Sequence, residues 1–122
     1  MIERTSDPGL IAQTVALHLA GLAGVARLTA GAGAEAATYY AGGKTLGVVV
    51  RQDLVRLHIV VLELPLVGVA ERVRETVQRA LRALGAERPV EVVVEDVELD
   101  QLPLSLPPRI EPHIEPIITR TI

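Results

Sequence analysis

Apolar residues recur along this chain with two periods, and the change from one to the other marks its elements. Residues 67–84, VGVAERVRETVQRALRAL, carry the clearest pattern. At about 100° per residue, Val69, Ala70, Val73, Val77, Ala80, Leu81 and Leu84 share one side of a helix. Glu71, Arg74, Glu75, Gln78 and Arg82 share the other, with Arg72 and Arg79 at its border. A stripe this wide belongs to a helix that covers a core. Gly85 then offers a left-handed stop.

The strand-like periods stand on both sides of that helix. Residues 45–51 and 54–64 are two apolar runs separated by Gln52-Asp53, which predicts an antiparallel hairpin. In the second run Val55, Leu57, Ile59 and Val61 face one way, and Arg56, His58, Val60 and Leu62 the other. Pro65 ends it. Residues 90–97 read as a last strand, alternating Val90, Val92 and Val94 with Glu91, Val93 and Glu95. Val97 and Leu99 break that parity, so a bulge is expected near Glu95-Asp96. Val73 and Val77 are expected to pack against Leu57 and Ile59.

Upstream the signals are weaker. Asp7-Pro8 starts a helix over residues 8–20, because Asp accepts from free N–H groups and Pro suits the first turn. Ile11, Val15, His18 or Leu19, and Leu22 share a face, and Gly21 and Gly24 end it. Residues 24–29 read as a short first strand. Residues 30–43, AGAGAEAATYYAGG, show no period and read as a loop with at most a helical turn near 35–40. Three segments result: a polar lead over 1–6, a domain over 7–99 and a Pro-rich extended tail over 100–122. The fold class is α+β, a two-layer sandwich in the order helix-strand-hairpin-helix-strand, with the helices on one face of a small mixed sheet.

Composition narrows the core chemistry. Among 122 residues there is no Phe, Trp or Cys, and Tyr39 and Tyr40 are the aromatics, so the core is aliphatic. Disulfides and thiolate chemistry are excluded. The net charge of −3 makes non-specific nucleic-acid binding an unfavourable expectation, since that needs cations against phosphates. The start MIERTSDPGL is charged where a secretion signal is apolar, and no run approaches the about 18 apolar residues of a membrane span. A cytoplasmic protein is expected.

The candidate chemistry is sparse. His18, His58 and His113 lack metal-ligand spacing, and the first two read as structural. Glu91, Glu95, Asp96, Glu98 and Asp100 could form a cation or paired-carboxylate site, but read better as a solvated edge that discourages strand pairing. Gly21-Leu22-Ala23-Gly24 matches the GxxG of RNA-clamping loops without its basic neighbours. Gly42-Gly43-Lys44-Thr45 fails as a phosphate loop, because Thr38 stands where its first glycine belongs and a strand follows. No catalytic residue, metal site or cofactor is expected.

One feature exceeds what a solvated sheet needs. With both helices on one face, the other still presents Val49, Val60, Leu62 and Val93, which marks a candidate interface. The tail adds Ile110, Ile114, Ile117 and Ile118, together with Ile122, among Pro103, Pro107, Pro108, Pro112 and Pro116. Such a segment is pre-extended and suits a sheet face or edge of a neighbouring subunit, or a separate partner; the alternative is a frayed terminus.

The order of elements resembles the alkaline shock protein family of bacterial envelope stress response. The resemblance runs over about residues 7–99. It rests on a capped helix ending in Gly24-Val25-Ala26-Arg27-Leu28, a Gly-rich loop, a Val-rich hairpin, a helix with Val73, Val77-Gln78 and Ala80-Leu81, and the closing Val90-Glu91-Val92-Val93-Val94-Glu95-Asp96-Val97. It departs at Leu64-Pro65-Leu66, where the family commonly has an aromatic-Gly step, and in its Pro-rich tail. The resemblance implies a non-enzymatic cytoplasmic protein of envelope homeostasis acting through protein contacts. Its implied partners are further copies of itself and a membrane-anchored relative, which would bring it to the membrane without insertion. A small RNA- or ligand-binding module is the alternative, and a continuous positive stripe beside Gly21–Gly24 would favour it.

Overall fold

The computed structural model describes residues 7–31, 33–99 and 120–121. Its elements are α1 (Pro8–Leu19), β1 (Val25–Leu28), β2 (Ala37–Tyr40), β3 (Gly43–Leu46), β4 (Val48–Val50), β5 (Val55–Val61), α2 (Leu66–Leu84), β6 (Val90–Val97) and β7 (Arg120–Thr121). The class is the expected α+β sandwich, with α1 and α2 together on one face of a mixed sheet.

The helix boundaries follow the local chemistry. Asp7 accepts from the Gly9 N–H at 2.9 Å, and Pro8 fills the first turn of α1. Gly85 takes φ 68° at the end of α2, where its N–H donates to the Arg82 carbonyl at 3.1 Å and Ala86 N–H to the Leu81 carbonyl at 2.9 Å. Those bonds occupy carbonyls that the helix itself leaves unpaired.

β5 is the spine of the sheet. β6 runs parallel to it on one side, which the intervening α2 makes possible. β4 and β1 share its other side, both antiparallel, β4 against Val55–Leu57 and β1 against Ile59–Val61. Arg51 N–H donates to the Leu54 carbonyl at 2.8 Å, so Gln52-Asp53 makes the expected turn. The expected bulge is present: Ile59 pairs with Val94 and Val60 with Asp96, leaving Glu95 as the extra residue. The bulge returns Val97 to the inner face, where it packs on the core. Val55, Leu57, Ile59, Val61, Val73 and Val77 are all fully buried in one cluster with Ile11, Val15 and Val92.

Residues 30–43 are not simply a loop. Ala37–Tyr40 is β2, antiparallel to Gly43–Leu46, and the two form a separate two-stranded hairpin. The run expected as one strand over 45–51 is therefore two. Gly47, at φ +82°, breaks it: β3 turns away to β2 and β4 stays on β5. The sequence hides this hairpin because its inward side chains are Thr38 and Tyr40, not a run of aliphatic residues.

Thr38 explains how the hairpin is held. Its buried hydroxyl donates to the Val48 carbonyl at 2.6 Å and accepts from Val50 N–H at 3.1 Å. A side chain thus takes the place of a neighbouring strand along the free side of β4. Thr38→Val keeps the shape and leaves both backbone groups unpaired, at an expected cost of about 1–3 kcal/mol. A urea unfolding curve checks this; Thr38→Ser should keep most of the stability, and an unmoved midpoint for Thr38→Val would refute the role.

Candidate interaction surface

The outer face of the sheet is a ladder of charge pairs, not an open apolar face. Arg56 on β5 bonds Glu91 on β6. His58 Nδ1 lies 2.7 Å from Glu95 Oε2, with both side chains mostly buried. Arg27 on β1 holds Glu98 through two bonds of 2.9 and 2.8 Å. That bonding holds the Glu98 carboxyl below its ordinary range and raises the Arg27 guanidinium further. The acidic run of β6 is therefore the counter-charge to cations of β5 and β1. It is not a free sheet edge, because β6 lies between β5 and β7. Arg56 and Glu91 stand directly opposite each other in the register of β5 and β6, whereas His58 reaches the bulge residue Glu95.

Among the four sheet residues expected as an interface, Val60 and Val93 are only 2% and 7% exposed. Val49 and Leu62 are half-buried. Ile110, Ile114, Ile117 and Ile118 lie outside the described residues. The described end of the tail, β7, pairs with Val93 and Val94 of its own chain's β6.

Exposed apolar side chains stand elsewhere. Leu17, at 75%, is the most exposed large apolar residue described, with Leu10 also open on the solvent side of α1, while Leu64 and Val67 are exposed around the start of α2. Ile11, Val15 and Leu19 fill the opposite side. No residue of α1 is Asp, Glu, Lys or Arg, and its His18 bonds the Thr14 carbonyl at 2.8 Å. The open side of α1 thus sets Leu10 and Leu17 among Gln13, Thr14 and His18, with no Asp, Glu, Lys or Arg. That signal lies in PGLIAQTVALHL itself: Ile11 and Val15 mark the inward side, and no Asp, Glu, Lys or Arg stands opposite.

Beside the start of α1 the β2–β3 hairpin leaves an open cleft of about 520 Å³ lined by Gly9, Leu10, Gln13, Tyr39 and Tyr40. On the hairpin's outer side Tyr39 donates its hydroxyl to Glu35, and Lys44 Nζ pairs with Glu35 at 2.9 Å. The Tyr39 hydrogen bond, then Lys44, holds the Glu35 carboxyl below its ordinary value. The same bond raises the Tyr39 phenol above its ordinary value, and the separate Lys44–Glu35 bond raises the Lys44 ammonium. A raised phenol stabilises the fold below its unfolded value and loses that contribution as pH climbs through the folded one. Glu35→Gln should therefore bring Tyr39 ionisation to lower pH. Phenolate absorbance reads it cleanly, with two tyrosines and no tryptophan in the chain; coincident titration curves would contradict the pairing.

At the Gly21–Gly24 corner the cations are engaged. Arg72 donates to the Ala23 carbonyl at 2.6 Å and lies 3.8 Å from Glu63, and Arg27 is held by Glu98. Among the described residues, no group of three or more His, Cys, Asp or Glu is placed to hold a metal ion. No described helix is long and apolar enough to cross a membrane.

The fold and surface together define a small α+β domain that turns to solvent one helix face without Asp, Glu, Lys or Arg. No family model, curated protein or solved structure matches this chain.

Proposed function

We propose that this is a non-enzymatic protein of cell-envelope homeostasis that works through protein–protein contacts, self-assembly among them. The observation that carries the reading is the exposed side of α1, which presents Leu10 and Leu17 and has no Asp, Glu, Lys or Arg. Solvated helix faces carry charge, whereas the centres of protein interfaces are depleted in it. The envelope assignment is supported by the resemblance set out above, whose helix-then-Gly-Val junction and closing valine strand fall in α1–β1 and β6. On this reading the protein stays on the cytoplasmic side and meets the membrane through an anchored relative. The RNA-binding alternative draws no support from Arg27 and Arg72, both engaged by carboxylates.

The test is affinity capture of the full chain from native lysate with membranes retained, beside a deletion strain challenged with alkaline and detergent stress. A membrane-anchored protein in the capture and a sensitised envelope are expected. An unaltered envelope together with a capture free of membrane proteins would overturn the proposal. Recovery of nuclease-sensitive material in place of protein would favour RNA.

A further inference from the structure

We infer that the outer edge of β6 is a strand-binding site whose ligand is this chain's own C-terminal segment, seated in cis and exchangeable for the same sequence supplied in trans. The inference stands on backbone pairing and goes beyond the α1 surface that carries the reading above.

The direction of each backbone group on β6 comes first. Val55 N–H donates to the Pro89 carbonyl at 2.9 Å, and β5 and β6 are parallel. Successive residues of a strand turn their backbone N–H and C=O to opposite sides. Glu91 and Val93 therefore turn theirs to β5, and Val90, Val92 and Val94 turn theirs away from it. The Glu95 bulge resets the count. Beyond it Glu98 N–H donates to the Val61 carbonyl at 2.8 Å, which turns Val97 outward.

Each end of that outward row is closed by a side chain. Arg74 of α2 donates from Nε to the Val90 carbonyl at 3.4 Å. The Asp96 carboxylate accepts from Val97 N–H at 2.7 Å. The stretch between them, Val92 to Val94, is where β7 seats. Val94 stands opposite Arg120 there, and Val93 opposite Thr121. Because Val94 points outward, it and Arg120 exchange N–H and C=O bonds in both directions. An edge with side chains at its ends and a strand at its middle admits one short extended segment. Main-chain bonds of this kind supply the affinity in strand addition.

The attachment of the occupant is the second argument. A tight hairpin loop of about two to five residues forces its strands to pair in cis. β7 is joined to β6 through residues 100–119 instead. A chain of that length reaches at most about 70 Å. That is about twice the roughly 35 Å breadth of a domain this size. The connection therefore does not dictate which molecule supplies the strand. β7 is also only two residues long, so its seating depends on the effective concentration that the tether provides, on the order of millimolar. The same sequence offered from outside at that concentration competes for the edge.

Hydrogen exchange of the full chain, followed amide by amide by NMR, tests this with Arg120→Pro and a peptide of residues 115–122, EPIITRTI. Proline has no N–H to donate, so the variant should unseat β7 and leave the domain folded. Val94 should then exchange about tenfold faster than in the parent. Val93, whose N–H points at β5, should keep its protection and serves as the internal reference. Adding the peptide at about 1 mM should slow Val94 back towards the parent rate. A peptide with proline in place of the arginine should not. An unchanged Val94 rate in Arg120→Pro would overturn the inference. So would protection lost at Val93 as well, a Val94 rate that EPIITRTI leaves unmoved, or two peptides that act alike.

Discussion

Val77→Asp should remove a large share of the domain's stability and lower its melting temperature steeply. Val77 is fully buried on the inner stripe of α2, in one cluster with Leu57, Ile59 and Val73. Its neighbours there are aliphatic, so a carboxylate would find no partner. An uncompensated buried charge costs about 4 kcal/mol or more, and a small domain has only about 5–15 kcal/mol in total. The adjacent Gln78 faces solvent, and Gln78→Asp should change stability by no more than about 0.5 kcal/mol. Thermal melting by circular dichroism compares the two. A Val77→Asp melt close to that of Gln78→Asp would mean that the helix presents a different face to the sheet.

Gly47→Ala should be the most damaging single-methyl change in the chain. Gly47 sits at φ +82°, where an L side chain costs about 1–2 kcal/mol. Space is the second penalty. A β-carbon there would lie 2.8 Å from Leu28 Cβ and 2.9 Å from the Thr29 backbone nitrogen. Backbone cannot step aside as a flexible side chain can, and overpacking adds about 1–3 kcal/mol. Gly47 is also pinned on both sides, donating to the Ala36 carbonyl and accepting from His58 N–H, each at 2.8 Å. Gly42 is the control. It has φ +93° with nothing within 4 Å of the added carbon, so Gly42→Ala carries the conformational cost alone. Denaturant unfolding should place Gly47→Ala about 2 kcal/mol or more below Gly42→Ala. Equal losses would mean that Leu28 and Thr29 do not crowd the position.

The two variants act on different kinds of order. Val77 reports a periodicity that one helix carries by itself. Gly47 reports a point where the chain leaves one sheet for another, which depends on what surrounds it. The same division runs through the candidate surface. The missing charges of α1 could be read from PGLIAQTVALHL, whereas the cleft beside it needed the β2–β3 hairpin to be in place.

The sequence alone determined the parts whose causes lie within a few residues. Helix periodicity and capping set α1 and α2, Gln52-Asp53 set the β4–β5 turn, and the parity break at Val97 located the bulge at Glu95. Those signals are local because hydrogen bonds and side-chain periods repeat within a turn or a pleat. Tertiary structure decided what each outward group meets. It made β2 and β3 a hairpin through the Thr38 hydroxyl, a partner ten residues away from Val48 and twelve from Val50. It turned the acids of β6 and the following Glu98 from an expected edge into bonding partners for Arg56, His58 and Arg27, with β6 paired on both sides. It also buried Val60 and Val93 and left Leu17 open. Alternation along a strand says which residues share a face; only the packed chain says whether that face is covered, since the covering groups come from distant positions.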